Sequence, residues 1–161
     1  MIFVTVGTHS QQFNRLLEKL DELKKSGKMK EELFAQTGNS SFVPKNFKSK
    51  KFLSDNEFEE TVKKASMVIS HGGAGAIITA LKYGKKLVLV PRLKEFGEHT
   101  DSHQLDLARF MESEKKALAV FNIDDLEKKI LQAKTFKFIK ATKVTGIVNA
   151  LNDFFGVKIN G

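Results

Sequence analysis

The chain has 161 residues, 41% of them hydrophobic, which is enough for one cored domain and too few for two full-sized ones. It has no cysteine, which excludes a disulfide scaffold, thiolate metal sites and cysteine nucleophiles and fits a reducing compartment. Lysine and arginine outnumber aspartate and glutamate by 27 to 19, a net charge of +8 that admits nucleic acid, an anionic membrane surface or simply a lysine-rich surface.

The apolar runs alternate with helical patterns. Ile2 to Val6 is a short run rich in β-branched residues, the pattern of a strand buried on both faces. Phe13, Leu16, Leu17, Leu20 and Leu23 follow at helical spacing, with Lys24 and Lys25 at the helix end and Gly27 as its stop. Glu32 to Gln36 reads as a second strand. Gly38 to Lys51 is polar, carries Pro44, and reads as loop with one short strand. Ser54 or Asp55 reads as a helix cap; Ser54 has Glu57 three residues on, a capping-box spacing, and Phe58, Val62 and Ala65 form the apolar stripe of that helix. Met67 to Ser70 reads as strand, His71 to Gly75 as a glycine-rich turn, and Ala76 to Tyr83 as a helix ended by Gly84. Leu87 to Val90 is a buried strand closed by Pro91, and the loop from Arg92 to Thr100 leads into a helix near Ser102 to Met111. Ala117 to Phe121 reads as strand and Asp124 to Ala133 as a helix capped by aspartate. A last helix over 141–155 carries Val144, Ile147, Val148, Leu151, Phe154 and Phe155 on one stripe.

Strands alternating with helices predict an α/β fold with a mainly parallel sheet, in one domain over 1–161. No segment reaches the roughly 18 unbroken apolar residues of a membrane helix. The opening MIFVTVGTHS lacks the basic lead of a signal peptide and reads as the first strand of a cytoplasmic protein. Residues 1–80 carry 12 basic and 9 acidic groups and residues 81–161 carry 15 and 10, so no basic stripe stands out. The aromatics are mostly phenylalanines at core spacing, which argues against nucleic acid as a partner.

Three places carry chemistry. Ser70-His71-Gly72-Gly73-Ala74-Gly75 follows a strand and opens a helix. Its glycines allow close backbone approach, and a helix start offers unpaired N–H groups, so the turn suits a diphosphate; a tight turn without ligand is the alternative. It is neither the GxGxxG fingerprint nor a Walker loop. Gly7-Thr8-His9-Ser10 closes the first strand, at the sheet end where ligands bind in open parallel sheets. There His9 is a candidate proton carrier or phosphate donor, with a helix-capping loop led by Ser10 as the alternative. Pro91 to Gln104 crowds Glu98, His99, Asp101, His103 and Gln104 into one loop and helix start. These residues straddle a loop and a helix start and no cysteine is available to complete a tetrahedral metal site, so the carboxylates and amide could instead bind sugar or ribose hydroxyls. No serine stands in GxSxG, so a hydrolase elbow is unsupported.

IFVTVGTHSQQFNRLL, QTGNSSFVPKNF, MVISHGGAGAIITALKYGKKLVLVPR and GEHTDSHQLDLA, in this order, resemble the C-terminal, donor-binding half of MurG-like glycosyltransferases of family 28. The likeness spans roughly residues 1–120. It is greatest to the small separate chains of two-component enzymes: exopolysaccharide transferase subunits of the PssE and EpsF type and the eukaryotic dolichol-linked chitobiose transferase subunit.

The resemblance implies a Rossmann-like sheet of about six strands, one half of a GT-B fold. It implies a UDP-sugar site with the diphosphate on His71, Gly72, Gly73, Ala74 and Gly75. Gly7, Thr8 and His9 would lie against the same phosphates, with Pro91, Glu98, His99, His103 and Gln104 toward the sugar. No cofactor is implied and no metal, since GT-B enzymes usually work without one. Ala76 stands where many relatives carry Thr or Ser, and Asn14 where they often carry aspartate. Thr79 aligns with a ribose-binding glutamate of MurG. His9 and Glu98 are this chain's candidates for the general base.

A GT-B enzyme needs two Rossmann-like halves and 161 residues hold one. The resemblance therefore implies a membrane-anchored, PssD-like acceptor-binding subunit as partner and a polyprenyl-diphosphate-linked sugar as acceptor. The chain would then be peripheral at the inner face of the membrane. A non-catalytic enhancer of such a partner is the alternative.

Overall fold

A computed structural model describes residues 1–99 and 103–139. Among them, six strands form one parallel sheet. They are β1 (Ile2–Thr5), β2 (Leu33–Gln36), β3 (Lys48–Lys50), β4 (Met67–Ser70), β5 (Lys86–Leu89) and β6 (Leu118–Ala119), in the order β3-β2-β1-β4-β5-β6. Five α-helices connect or follow them: α1 (Asn14–Lys25), α2 (Asp55–Lys64), α3 (Ala74–Lys82), α4 (His103–Ser113) and α5 (Leu126–Thr135). The order reverses between β1 and β4, which are paired in register from Ile2 opposite Met67 to Thr5 opposite Ser70.

Side chains alternate across the sheet and fill two cores. Ile2, Val4, Met67, Ile69 and Val88 face one side, where Leu16, Leu20, Leu126 and Ile130 of α1 and α5 cover them. Phe3, Val68, Leu87 and Leu89 face the other, under Val62, Ile77, Ala80 and Leu107 of α2, α3 and α4. Both faces are thus dry, which is why the strands read as continuous apolar runs rather than as alternating ones.

The ends of the elements show which local signals decide. Ser54 caps α2 as its spacing predicts: its Oγ accepts from Glu57 N–H at 3.3 Å and Glu57 Oε2 accepts from Ser54 N–H at 2.9 Å. The helix after the glycine turn starts at Ala74, two residues before the predicted start, so two residues expected in the turn belong to its first turn. Asp124 does not cap the fifth helix. Asn122 Oδ1 accepts from Asp124 N–H and opens a short 3-10 turn that runs into α5. Ser10 caps nothing: α1 begins after Phe13, whose N–H donates to Ser40 Oγ at 3.0 Å from another loop. The predicted strand at 117–121 shrinks to β6, a two-residue edge. The predicted helix over 141–155 lies outside the described residues. No helix among the described residues is long and apolar enough to cross a membrane.

Candidate functional site

The glycine-rich turn lies at the carboxyl end of β4, beside the end of β1, at the point where strand order reverses. Gly73 forms the N-terminal boundary of α3 in extended backbone, and among the described residues no side chain caps the helix. Its first-turn N–H groups and the positive end of its dipole are therefore available to an anion. Cavities open on both sides of this helix start. One, of about 350 Å³, is lined by Thr5, Gly7, Thr8, Gln36, Leu53, Asp55, Phe58, His71, Gly73, Gly75, Ala76 and Thr79. The other, of about 230 Å³, is lined by Gly72, Gly73, Ala74, His99, His103, Gln104 and Leu107.

His71 is the pivot of the turn. Its backbone N–H donates to Thr5 O at 3.2 Å, and its Nδ1 lies 3.3 Å from the same carbonyl. A carbonyl only accepts, so Nδ1 carries the proton and Nε2 is left as an acceptor. Burial, helped by the Arg92 charge, lowers the His71 pKa to about 4, so the ring is neutral at physiological pH. It therefore offers a lone pair rather than a charge. The ring occupies the space that side chains at Gly7 and Gly73 would need: a Cβ at either would fall 2.6 or 2.4 Å from Nε2. Gly7 also has φ +78°, in the left-handed region, and a Cβ on Gly38 would meet the Gly7 carbonyl. These positions are glycine because backbone, ring and backbone are stacked in direct contact.

Two loops converge on this turn. From the loop after β1, His9 sets its ring 5.1 Å from that of His99, centroid to centroid. His9 Nδ1 accepts from Gln11 N–H at 3.4 Å, and Asn39 Nδ2 donates to His9 O at 3.0 Å. From the loop after β5, Gln104 Oε1 accepts from Arg92 N–H at 3.2 Å, fixing the start of α4 against the strand end. All four histidines of the chain thus belong to the two loops, the turn and the adjoining start of α4. Among the described residues no three His, Asp or Glu side chains gather closely enough to hold a metal ion.

Most of the expected site residues come together here. Gly7, Thr8, His71, Gly73, Gly75 and Thr79 line the larger cavity and Gly72, Ala74, His99, His103 and Gln104 the smaller. Two do not. Glu98 is 1% exposed and lines neither cavity. Its Oε1 accepts from Arg15 Nε, and its Oε2 from Arg15 Nη2 and Leu93 N–H, at 2.9–3.0 Å. A carboxylate with both oxygens engaged anchors its loop and is not a free base. Pro91 is buried, lines neither cavity, and lends its carbonyl to Arg15 Nη2 at 3.2 Å. The Thr79 hydroxyl donates to Gly75 O, one helical turn back, at 2.8 Å.

Sequence reasoning missed Gln36, Asp55 and Phe58 as lining residues and missed Arg92 altogether. Phe58 is legible only as part of a helical stripe, because its second role at the cavity wall depends on where β2 and α3 fall. Asn14 holds the loop after β2: its Oδ1 accepts from Phe42 N–H and its Nδ2 donates to Ser41 Oγ. An aspartate there could keep the second contact only by accepting from the Ser41 hydroxyl.

The fold is that of solved GT-B glycosyltransferases. The crystal structure of the glycotransferase of kitacinnamycin superposes with a TM-score of 0.63 at 16% identity, over 96% of this chain and 39% of that one. The solution structure of ALG13 superposes with a TM-score of 0.63 at 17% identity, over 93% of this chain and 94% of that one. In sequence, residues 1–149 match the model of the glycosyltransferase family 28 C-terminal domain. The chain belongs to that family. It is 35% identical over 124 residues to the human "UDP-N-acetylglucosamine transferase subunit ALG13". That match covers 70% of this chain and about a tenth of the length of the human protein.

Proposed function

We propose that the chain is the donor-binding subunit of a two-component inverting glycosyltransferase that uses a UDP-sugar. The observation that carries this reading is the uncapped start of α3 at the strand-order switch, with a cavity on each side of it. The larger cavity lies in the usual size range of small-molecule sites, about 300–1,000 Å³. It has an apolar wall at Leu53 and Phe58 for a base, and Thr8, Asp55 and Thr79 nearby for ribose. The diphosphate would rest on the backbone of Gly72 to Ala76. The smaller cavity offers His99, His103 and Gln104 to sugar hydroxyls. No metal is needed, because the helix dipole and oriented N–H groups would stabilise the departing UDP.

The acceptor half would come from a membrane-anchored partner holding a polyprenyl-diphosphate-linked sugar. One fact supports this: its human relative is described as a transferase subunit. Of the two candidate bases, only His9 is exposed, with its ring beside that of His99, which lines the smaller cavity.

Calorimetric titration with UDP, ADP and UDP-N-acetylglucosamine tests the reading. Selective uridine binding, lost in Gly73→Val, is the expected result. If the chain binds no nucleotide even with its partner present, the donor reading is wrong and an enhancer role takes its place.

A further inference from the structure

Among the described residues Arg92 is the largest fully buried side chain, 1% exposed, with no carboxylate paired to it directly. Its guanidinium is spent on backbone instead. Nη1 donates to Gln11 O at 2.8 Å and to Glu98 O at 3.1 Å, and Nη2 donates to Val6 O at 2.5 Å. The ring of Phe13 lies 5.5 Å from its Cζ. Its Nε has no partner among the described residues, and neither has the buried Gln11 Oε1. Burying a full charge against neutral carbonyls is costly, so the arrangement does not read as one selected for stability alone.

The three carbonyls have one thing in common. Val6 and Gln11 bracket the loop that carries Gly7, Thr8 and His9. Glu98 immediately precedes His99. The backbone N–H of Arg92 also holds Gln104, at the start of α4. One residue thus fastens the loop after β1, which lines the larger cavity, to the His99 and Gln104 segments of the smaller. We propose that Arg92 is a positioning residue that clamps the loop after β1 to the loop before α4, so that the two cavities flanking the glycine turn are held as a single site. It touches neither cavity itself. Its charge also disfavours a proton on His71. The role in ligand binding rests on the donor-site reading above; the clamp itself does not.

Three variants separate the possibilities. Arg92→Lys keeps the cation and loses the fork that reaches three carbonyls. Arg92→Gln also loses the charge. Arg109→Gln removes an exposed arginine on α4 and controls for net charge. In folded Arg92→Lys, UDP binding should weaken at least about tenfold, since small misplacements of a site are that expensive. Arg109→Gln should stay within about twofold. NMR titration should show His71 accepting a proton at higher pH in Arg92→Gln than in Arg92→Lys, which keeps the charge, whereas loosened packing alone would move both variants alike.

Folded Arg92 variants with wild-type UDP affinity and an unmoved His71 titration would overturn the proposal. Should neither variant fold, native-state hydrogen exchange of the wild type decides. The clamp requires the Gly7 and Glu98 amides to open together, with matching response to low denaturant; independent opening sinks it. If the wild type binds no UDP, the nucleotide reading fails, while the exchange and His71 measurements still judge the clamp.

Discussion

Arg15 and Glu98 stand 83 positions apart in the chain and meet through two parallel hydrogen bonds, Nε to Oε1 at 3.0 Å and Nη2 to Oε2 at 2.9 Å. The pair joins the first turns of α1 to the loop before α4, with Glu98 1% and Arg15 15% exposed at their side chains. Removing Arg15 alone strands a buried carboxylate. Arg15→Met should therefore cost about 3 kcal/mol in urea unfolding. The double variant Arg15→Met with Glu98→Met should cost much less than the two single changes added together. Strict additivity would show that the pair is not coupled as its geometry requires.

The stacked glycines give a second expectation. Gly73 has ordinary backbone angles, so only the His71 ring opposes a side chain there. Gly73→Ala should destabilise by about 1–3 kcal/mol through overpacking. In a His71→Ala background the same change should cost much less. Gly75, two residues on, has open space at its Cβ position and lies in the first turn of α3. Gly75→Ala should therefore stabilise by about 0.4–1 kcal/mol. Thermal or urea melts of the four variants read both signs.

His71 also makes a pH prediction. Burial and the Arg92 charge lower its pKa to about 4 in the folded chain, against 6.5 for the free group. Between those values the unfolded chain takes up a proton that the folded chain refuses. Stability should thus be full above about pH 6.5 and fall as pH drops toward 4, by about 3 kcal/mol from this group. The difference in unfolding free energy between wild type and His71→Gln, followed from pH 7.5 to 4.5, isolates the effect. A pH-independent difference would mean that folding does not shift the His71 pKa.

The capping box of α2 is a smaller and more local case. Ser54→Ala removes the acceptor for Glu57 N–H and should cost about 1 kcal/mol. Since Asp55 and Phe58 of the same first turn line the larger cavity, the same variant should also weaken uridine nucleotides modestly. Parallel melts and titrations check the two together.

How far the sequence could be read follows from the range of each interaction. Ser54 and Glu57 are three residues apart, so the cap of α2 was legible, as was β4, whose four residues were predicted without error. The turn was legible because its chemistry is backbone chemistry, and glycine advertises it. Glu98 was misread because a carboxylate among histidines looks like a reactive group until its arginine appears from the first helix. Arg92 left no pattern at all: its acceptors are carbonyls, which every residue has, and two of them lie more than 80 positions away. Asn122 supplanted the aspartate cap because both residue types cap well and only the backbone path chooses between them. β6 came out short for a different reason. It is an edge strand, paired on one side only, so a five-residue apolar run keeps ladder bonds at just two positions.

The central place of β1 has a consequence for synthesis on the ribosome. Its neighbours are residues 33–36 and 67–70, so both of its edges stay unpaired while the intervening chain is made. At about 5–20 residues per second, the second edge waits several seconds before Met67 to Ser70 even exist. During that interval Ile2 to Thr5 is a bare apolar strand. A nascent chain stalled near residue 60 should be the form most readily captured by a chaperone, and one stalled well past β5 should escape it.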